Sequence, residues 1–284
     1  FTINLAYGEI ASLRQAARKP NVINVSGIPG DTTHPSDFQF FVNLDRMIQY
    51  EPTEAFEPEQ LGLLRALGIE KGKEFNPDER MKNILDTAAK TGLGMARAIA
   101  YQSREPEAKV YPDRNWEYVF VGGSHEFMSN GELVLNDRVS FHFAATGITP
   151  AMAMPKVGTG SAYEAASCDS QGRYLDGGKI YSVTLPVPIP ANNFWSFMVY
   201  SGQHRSMLET DQKSAGLDSN SPTVKRNNDG SYTIWFGPTS PEGHEGNWIQ
   251  TIPGKSYFVL LRLYGPLQAW FDKSWKPGDF ELVE

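Results

Sequence analysis

FWSFMVYSGQHRSMLETDQ, residues 194–212, decides the fold class. Its first half, Phe194 to Tyr200, places bulky residues on both sides of an extended chain, as a central strand does. Its second half turns polar without a break, which raises the question of whether this tail is the rim of a site or only the exit of a buried strand. Three more stretches share the first half's grammar: KIYSVTLPVPIP (179–190), GSYTIWFGP (230–238) and SYFVLLRLYGP (256–266). All are short, β-branched or aromatic, and bounded by Gly, Pro, Asn or Asp. Asn227 to Gly230, NNDG, adds a tight-turn signal.

Upstream the grammar is helical. Ser36 precedes DFQFFVNLDRMIQY as a candidate N-cap, and Phe38, Phe41, Val42, Asp45 and Ile48 recur at near-helical spacing. QLGLLRALGI gives a short second helix. In EFNPDER, Asn76 as cap, Pro77 and Glu79 predict the start of a long helix from Asn76 to about Ser103. Met81, Ile84, Leu85, Ala88, Leu93, Ala96 and Ile99 form its apolar stripe, and Gly92 and Gly94 read as close-packing points. Residues 132–146 are ambiguous by period alone, since Leu133, Leu135, Val139, Phe141 and Phe143 alternate while Leu135, Val139, His142 and Ala145 suit a helix. A short helical pattern, Glu9 to Ala17, and a Val/Ile stretch, Asn21 to Ser26, precede all of this.

Helices first and strands second, without βαβ alternation, make the chain α+β. A helical segment is followed by an antiparallel β-sandwich, jelly-roll-like, in the C-terminal half. The expected divisions are an opening segment at 1–35, a mainly helical region at 36–150 and the sandwich domain at 151–284. With 40% hydrophobic residues over 284 positions, the chain can bury a substantial core. Its 33 acidic against 26 basic residues, with no basic run, leave out the footprint that nucleic acid requires. No stretch nears the roughly 20 apolar residues of a membrane span. One cysteine, Cys168, excludes an internal disulfide and any cysteine-rich metal site; with no basic neighbour in sequence it reads as an unreactive thiol. No cofactor motif is present: no nucleophile elbow, phosphate loop or dinucleotide fingerprint has its strand-to-helix context.

Four stretches together carry a resemblance: LDGGKIYSVTLP (Leu175 to Pro186), NNFWSFMVYS (Asn192 to Ser201), RSMLETDQ (Arg205 to Gln212) and the long run from Ser231 to Leu282 that contains GNWIQTIPGKSYFVLL. In order and spacing they resemble a family of exported bacterial and viral proteins named for two domains of unknown function, 1254 and 1214, this chain carrying the 1214-type part. The resemblance implies a periplasmic or secreted location, a helix at 132–146, and a β-rich domain ahead of this segment. It supplies no reaction. Ser201 stands where the family pattern leads one to expect an acidic residue. Phe1 opening the chain and the unpartnered Asn21 to Ser26 stretch suggest that residues 1–35 end a missing N-terminal β domain. That domain is expected as a separate fragment still bound to this one, and a homo-oligomer is also compatible with the sequence.

The candidate chemistry is sparse. Arg205, Glu209 and Asp211 in the polar tail are the catalytic candidates, a carboxylate pair with a cation to tune it, against the plainer reading of a loop fastened by local hydrogen bonds. Tyr200 and His204 beside them are candidate ligand contacts. Arg262, mid-strand among bulky neighbours, is either half of a structural ion pair or an anchor for an anionic or hydroxylated ligand. Trp248, in a loop with Glu242, His244, Glu245 and Asn247, can stack on a flat ligand; one His with two glutamates fits no metal spacing. His34, His125 and His142 are isolated. The sequence therefore favours an exported ligand-binding or structural protein, with a hydrolase or lyase acting on a polar or carbohydrate-like substrate as the alternative.

Overall fold

The computed structural model describes residues 27, 33–145, 148 and 150–283. The Glu9 to Ala17 and Asn21 to Ser26 patterns lie outside the described residues. Two compact units emerge, Thr33–Ala98 and a larger one holding Ile99–Glu284.

Helices α1 (Gln39–Tyr50), α2 (Pro58–Ala66) and the start of α3 (Glu79–Tyr101) build the smaller unit. Phe41, Ile48, Ile69, Leu85 and Ala89 are its buried centre. The α1 start is held by Asp37, whose Oδ1 accepts the Gln39 N–H at 2.9 Å, and not by Ser36. Lys71 closes the other end by donating to the carbonyls of Ile48, Gln49 and Glu51 at 3.2, 2.9 and 2.7 Å. At α3, Asp78 rather than Asn76 is the cap: its Oδ1 accepts the Met81 N–H at 2.7 Å. Pro77 lies before that cap, so the helix begins two residues later than the capping-box reading predicts. Ile84 and Ala88 are exposed, and a Cβ built on Gly92 or Gly94 would meet nothing within 4 Å, so neither is a close-packing point.

In the larger unit a five-stranded antiparallel sheet has the order β1-β4-β10-β6-β7: Glu117–Tyr118, Ser161–Ala166, Tyr257–Pro266, Ala191–Ser201 and Gly216–Asp218. A four-stranded sheet has the order β11-β5-β8-β9: Glu281–Leu282, Tyr181–Leu185, Tyr232–Gly237 and Trp248–Gln250. Its β8–β9 pair is parallel, against the wholly antiparallel expectation. Strands β2 (Met128–Ser129) and β3 (Glu132–Leu133) pair apart. The predicted helix at 132–146 shortens to α4 (Leu135–Ala144), because Glu132 and Leu133 are taken by β3; Thr146 lies outside the described residues. Two short helices, α5 (Pro150–Ala153) and α6 (Gln268–Phe271), flank the strands. The chain is thus mixed helix and largely antiparallel sheet, sheet-rich in its C-terminal half, and neither sheet closes into a barrel. Among the described residues no helix is long and apolar enough to cross a membrane.

Each sheet turns one face to a common core. Trp195, Phe197 and Val199 of β6 and Val259, Leu261 and Leu263 of β10 are buried there with Val183, Leu185, Ile234 and Phe236 of the other sheet. Phe197 meets Phe236 edge-on at 5.5 Å across the interface. The opposite faces are covered only in part. Leu260 and Trp235, which the two-sided apolar pattern places inside, are half-buried for that reason. The NNDG turn is as expected, with the Gly230 N–H donating to Asn227 O at 2.9 Å and Gly230 at φ 86.

Candidate functional site

The polar tail after β6 folds back on Ser201. The hydroxyl of this buried residue accepts the N–H groups of Gln203 and His204 at 3.2 Å each, and its carbonyl accepts that of Arg205 at 2.9 Å. Arg205 takes a left-handed conformation, φ 60, and is buried. Its guanidinium donates to Gln203 O at 2.8 Å and lies 4.5 Å over the Phe143 ring. Glu209 and Asp211 are exposed, the latter's N–H donating to Gln250 Oε1 at 3.1 Å. The three catalytic candidates are thus one buried cation and two solvated carboxylates, not gathered in either cavity described below.

Of the candidate ligand contacts, His204 is exposed. Trp248 is half-buried, donating from Nε1 to Gly237 O at 2.9 Å while its own carbonyl accepts from Gln212. Arg262 sits on the outer face of the five-stranded sheet, opposite Ser196 and Tyr163. Its guanidinium lies 5.2 Å from the Tyr264 ring and 5.5 Å from that of Tyr163. Among the described residues no carboxylate pairs with it, and its buried Nε has no acceptor. Two tyrosine faces therefore stand where the strand argument calls for an acid. Tyr200 stacks on Phe258 at 5.2 Å, and burial raises its phenol. It lines a small cavity of about 240 Å³ between the sheet and α4, walled also by Tyr101, Phe141, Phe258 and Leu260. Glu117 borders that space, its carboxyl pushed up to about 7 by burial against the opposing pull of Lys109. Burial likewise raises the half-buried Cys168 thiol, so little thiolate forms there near neutrality.

A larger cavity, about 510 Å³, opens where β1 ends beside β4. Strand β1 pairs with β4 at Ala165 and Glu164, so Ser161 to Tyr163 run past the end of that neighbour. Tyr118, Phe120, Tyr163, Trp270 and Phe271 supply aromatic walls, and Met152 and Met154 soft apolar ones. The volume falls within the range of small-molecule pockets. Among the described residues two charged side chains line it, Lys273 and the exposed Glu107.

Lys273 follows the C-cap of α6 at φ 61, a helix-ending position that glycine takes without strain and that costs a lysine about 1 kcal/mol. Asp272 fixes the turn by accepting the Ser274 N–H at 3.0 Å and hydroxyl at 2.6 Å. The ammonium is thereby held 4.3 Å from the Trp270 ring centre, 4.7 Å from Tyr118 and 5.4 Å from Tyr111. Among the described residues it has neither a hydrogen bond nor a carboxylate within 4.0 Å. Burial lowers its pKa, while the charge of Glu164 pulls the other way.

Glu164 stands behind this wall, fully buried, on the inward face of β4. Its Oε1 accepts from Tyr111 Oη at 2.7 Å and Trp270 Nε1 at 2.6 Å, while Oε2 has no partner among the described residues. Burial pushes the carboxyl up to about 7, against the two hydrogen bonds and Lys273, which favour the anion. Through Glu164 the core grips Trp270, and Trp270 in turn shapes the cavity and supports Lys273.

Lys273, Trp270 and Glu164 escape sequence reasoning. SAYEAA shows a carboxylate between alanines on one face and Ser, Tyr and Ala on the other. Only pairing Glu164 with Leu261, the inward residue of β10, reveals which face is the core.

Residues 160–268 match the family described as a protein of unknown function, DUF1214. This supports the 1214-type part of the expected resemblance. No curated protein matches the chain. Among solved structures it is similar to the VPA0106 protein from Vibrio parahaemolyticus, at 15% identity and a TM-score of 0.44, over 99% of this chain and 65% of that one. It is also similar to an uncharacterized protein from Burkholderia cenocepacia, at 15% identity and a TM-score of 0.34, over 87% of this chain and 49% of that one. The chain therefore spans less than two thirds of the length of either.

Proposed function

We propose that this is a ligand-binding protein whose site is the aromatic cavity at the end of β1, and that it takes one small molecule with a flat apolar body. The observation that carries this reading is the cavity itself: about 510 Å³, with five aromatic side chains converging on a space that holds a positioned lysine. A hydrolase or lyase needs an acid and a base facing one reacting atom. Glu209 and Asp211 lie outside the cavity, and its two charged lining residues, the exposed Glu107 and Lys273, form no pair with each other, so binding is the better-supported class. The same reading takes the two sheets as a jelly-roll-like sandwich. It takes the chain as exported, with a 1254-type partner domain or a second copy beside it, on the strength of the resemblance in its strands.

Calorimetric titration with 2-naphthol, a neutral two-ring probe, tests the site. One molecule should bind per chain. Tyr163→Ala and Phe271→Ala, which each remove a half-buried wall, should weaken binding about threefold to tenfold. No saturable binding, or binding indifferent to both substitutions, refutes the reading.

A further inference from the structure

We propose that the ligand of this cavity is a small organic monoanion, an apolar ring system bearing one carboxylate-sized group that Lys273 receives. The inference rests on the cavity being a binding site and adds the chemistry of what fills it.

Lys273 is the one cationic side chain among the described lining residues. Rings of Trp270, Tyr118 and Tyr111 approach its ammonium at 4.3 to 5.4 Å and share its charge. Rings accept no conventional hydrogen bond, so three N–H donors remain for an acceptor that the described residues do not provide. A partly desolvated ammonium without an acceptor is costly, and an anion entering the cavity supplies both the acceptor and the countercharge.

The nearest internal acid does not cancel this demand. The Oε1 of Glu164 is occupied by Tyr111 and Trp270, and no oxygen of it comes within 4.0 Å of the Lys273 nitrogen. Burial moreover keeps its carboxyl near half-protonated at neutral pH. Glu107 is the other charged lining residue, exposed and bonded to Ser129 Oγ at 3.5 Å. A carboxylate there disfavours a second negative charge on the ligand. The apolar body then lies along Phe120, Tyr163, Phe271 and Met152. One charge and one flat body follow from the same set of side chains.

The test compares 2-naphthoate with 2-naphthol on the whole chain by calorimetry. Naphthoate should bind about tenfold tighter, the expected gain from one charge-assisted hydrogen-bonded pair. Lys273→Met should bring the ratio of naphthoate to naphthol affinity to about one, whatever it does to naphthol binding itself, and Lys273→Arg should restore most of the preference. Raising the salt concentration should narrow the preference in the wild type. If naphthol binds and naphthoate binds no tighter, the anion inference is overturned and the cavity reading stands. If the preference survives in Lys273→Met while its unfolding midpoint matches the wild type, Lys273 is not the anchor and the inference falls. If neither probe binds, the cavity reading itself fails and carries the inference with it.

Discussion

Glu164 makes the stability of the larger unit depend on pH in a direction opposite to that of most paired carboxylates. Its proton is retained to about 7 in the folded protein, against an ordinary value of 4.5, because burial outweighs its two hydrogen bonds and Lys273. The folded state therefore binds a proton that the unfolded chain has already lost. Stability is fully present below pH 4.5 and is lost as the pH rises to about 7. The whole effect is about 3 kcal/mol, of which about 2.5 kcal/mol falls between pH 5 and pH 8. Glu117, raised to about 7, and Asp137, raised to about 6, titrate in the same window, so the wild-type curve alone cannot isolate the site. The Glu164→Gln variant can. Gln keeps an acceptor for Tyr111 and Trp270, and the penalty of its amide is independent of pH in this range. All six tryptophans lie from Trp116 to Trp275, so fluorescence during urea unfolding reports the larger unit by itself. The stability difference between wild type and variant should shift by about 2.5 kcal/mol in favour of the variant from pH 5 to pH 8, a change of about 1 M in relative urea midpoint. Parallel pH profiles would refute the burial of an uncompensated carboxyl.

Truncating Trp195→Ala, deep in the shared core, should cost about 3–5 kcal/mol, and an unchanged unfolding midpoint would contradict its placement. Arg262→Leu should cost less than about 2 kcal/mol, since two tyrosine rings rather than a buried acid face it; a loss of 3–5 kcal/mol, typical of a broken buried pair, would show that a carboxylate was missed. Asp78→Ala should weaken the start of α3 by about 1 kcal/mol, read by hydrogen exchange at Met81 and Lys82, while Asn76→Ala should leave those amides unchanged.

What the sequence yields here follows from how local each determinant is. Strands β5, β6, β8 and β10 are legible because their apolar runs and bounding Gly, Pro and Asn residues are written in single stretches. Cap positions shift by a residue or two because Ser36 competes with Asp37, and Asn76 with Asp78, and the choice depends on where the helix enters its core. The two-sided apolar strands mislead about Leu260 and Trp235 for another reason. Their outer faces meet cover that the strand pattern does not show: His244 of the following loop lies 4.7 Å from Trp235, and Tyr101 and Phe141, from distant segments, line the same small cavity as Leu260.

The candidate site is the extreme case of non-local assembly. Tyr111, Tyr118, Glu164, Trp270 and Lys273 come from four separate segments, and no two of them form a motif. The sequence draws attention to Glu209, Asp211 and Arg205 because charge close together along the chain looks like chemistry, yet two of these are solvated where water screens what they can do. A single glutamate between two alanines draws none, although burial is what gives a carboxyl unusual behaviour. Glu164, Glu117 and Lys273, three of the residues whose ionisation the fold alters, belong to no recognisable sequence motif and are defined by what the fold packs around them. For a site of this kind the informative quantity is the inward or outward parity of each strand position. That parity becomes fixed only when β10 has chosen its register against β4, with Leu261 opposite Glu164 and Arg262 opposite Tyr163. A slip of one residue would turn Glu164 out and Tyr163 in, dissolving the support of Trp270.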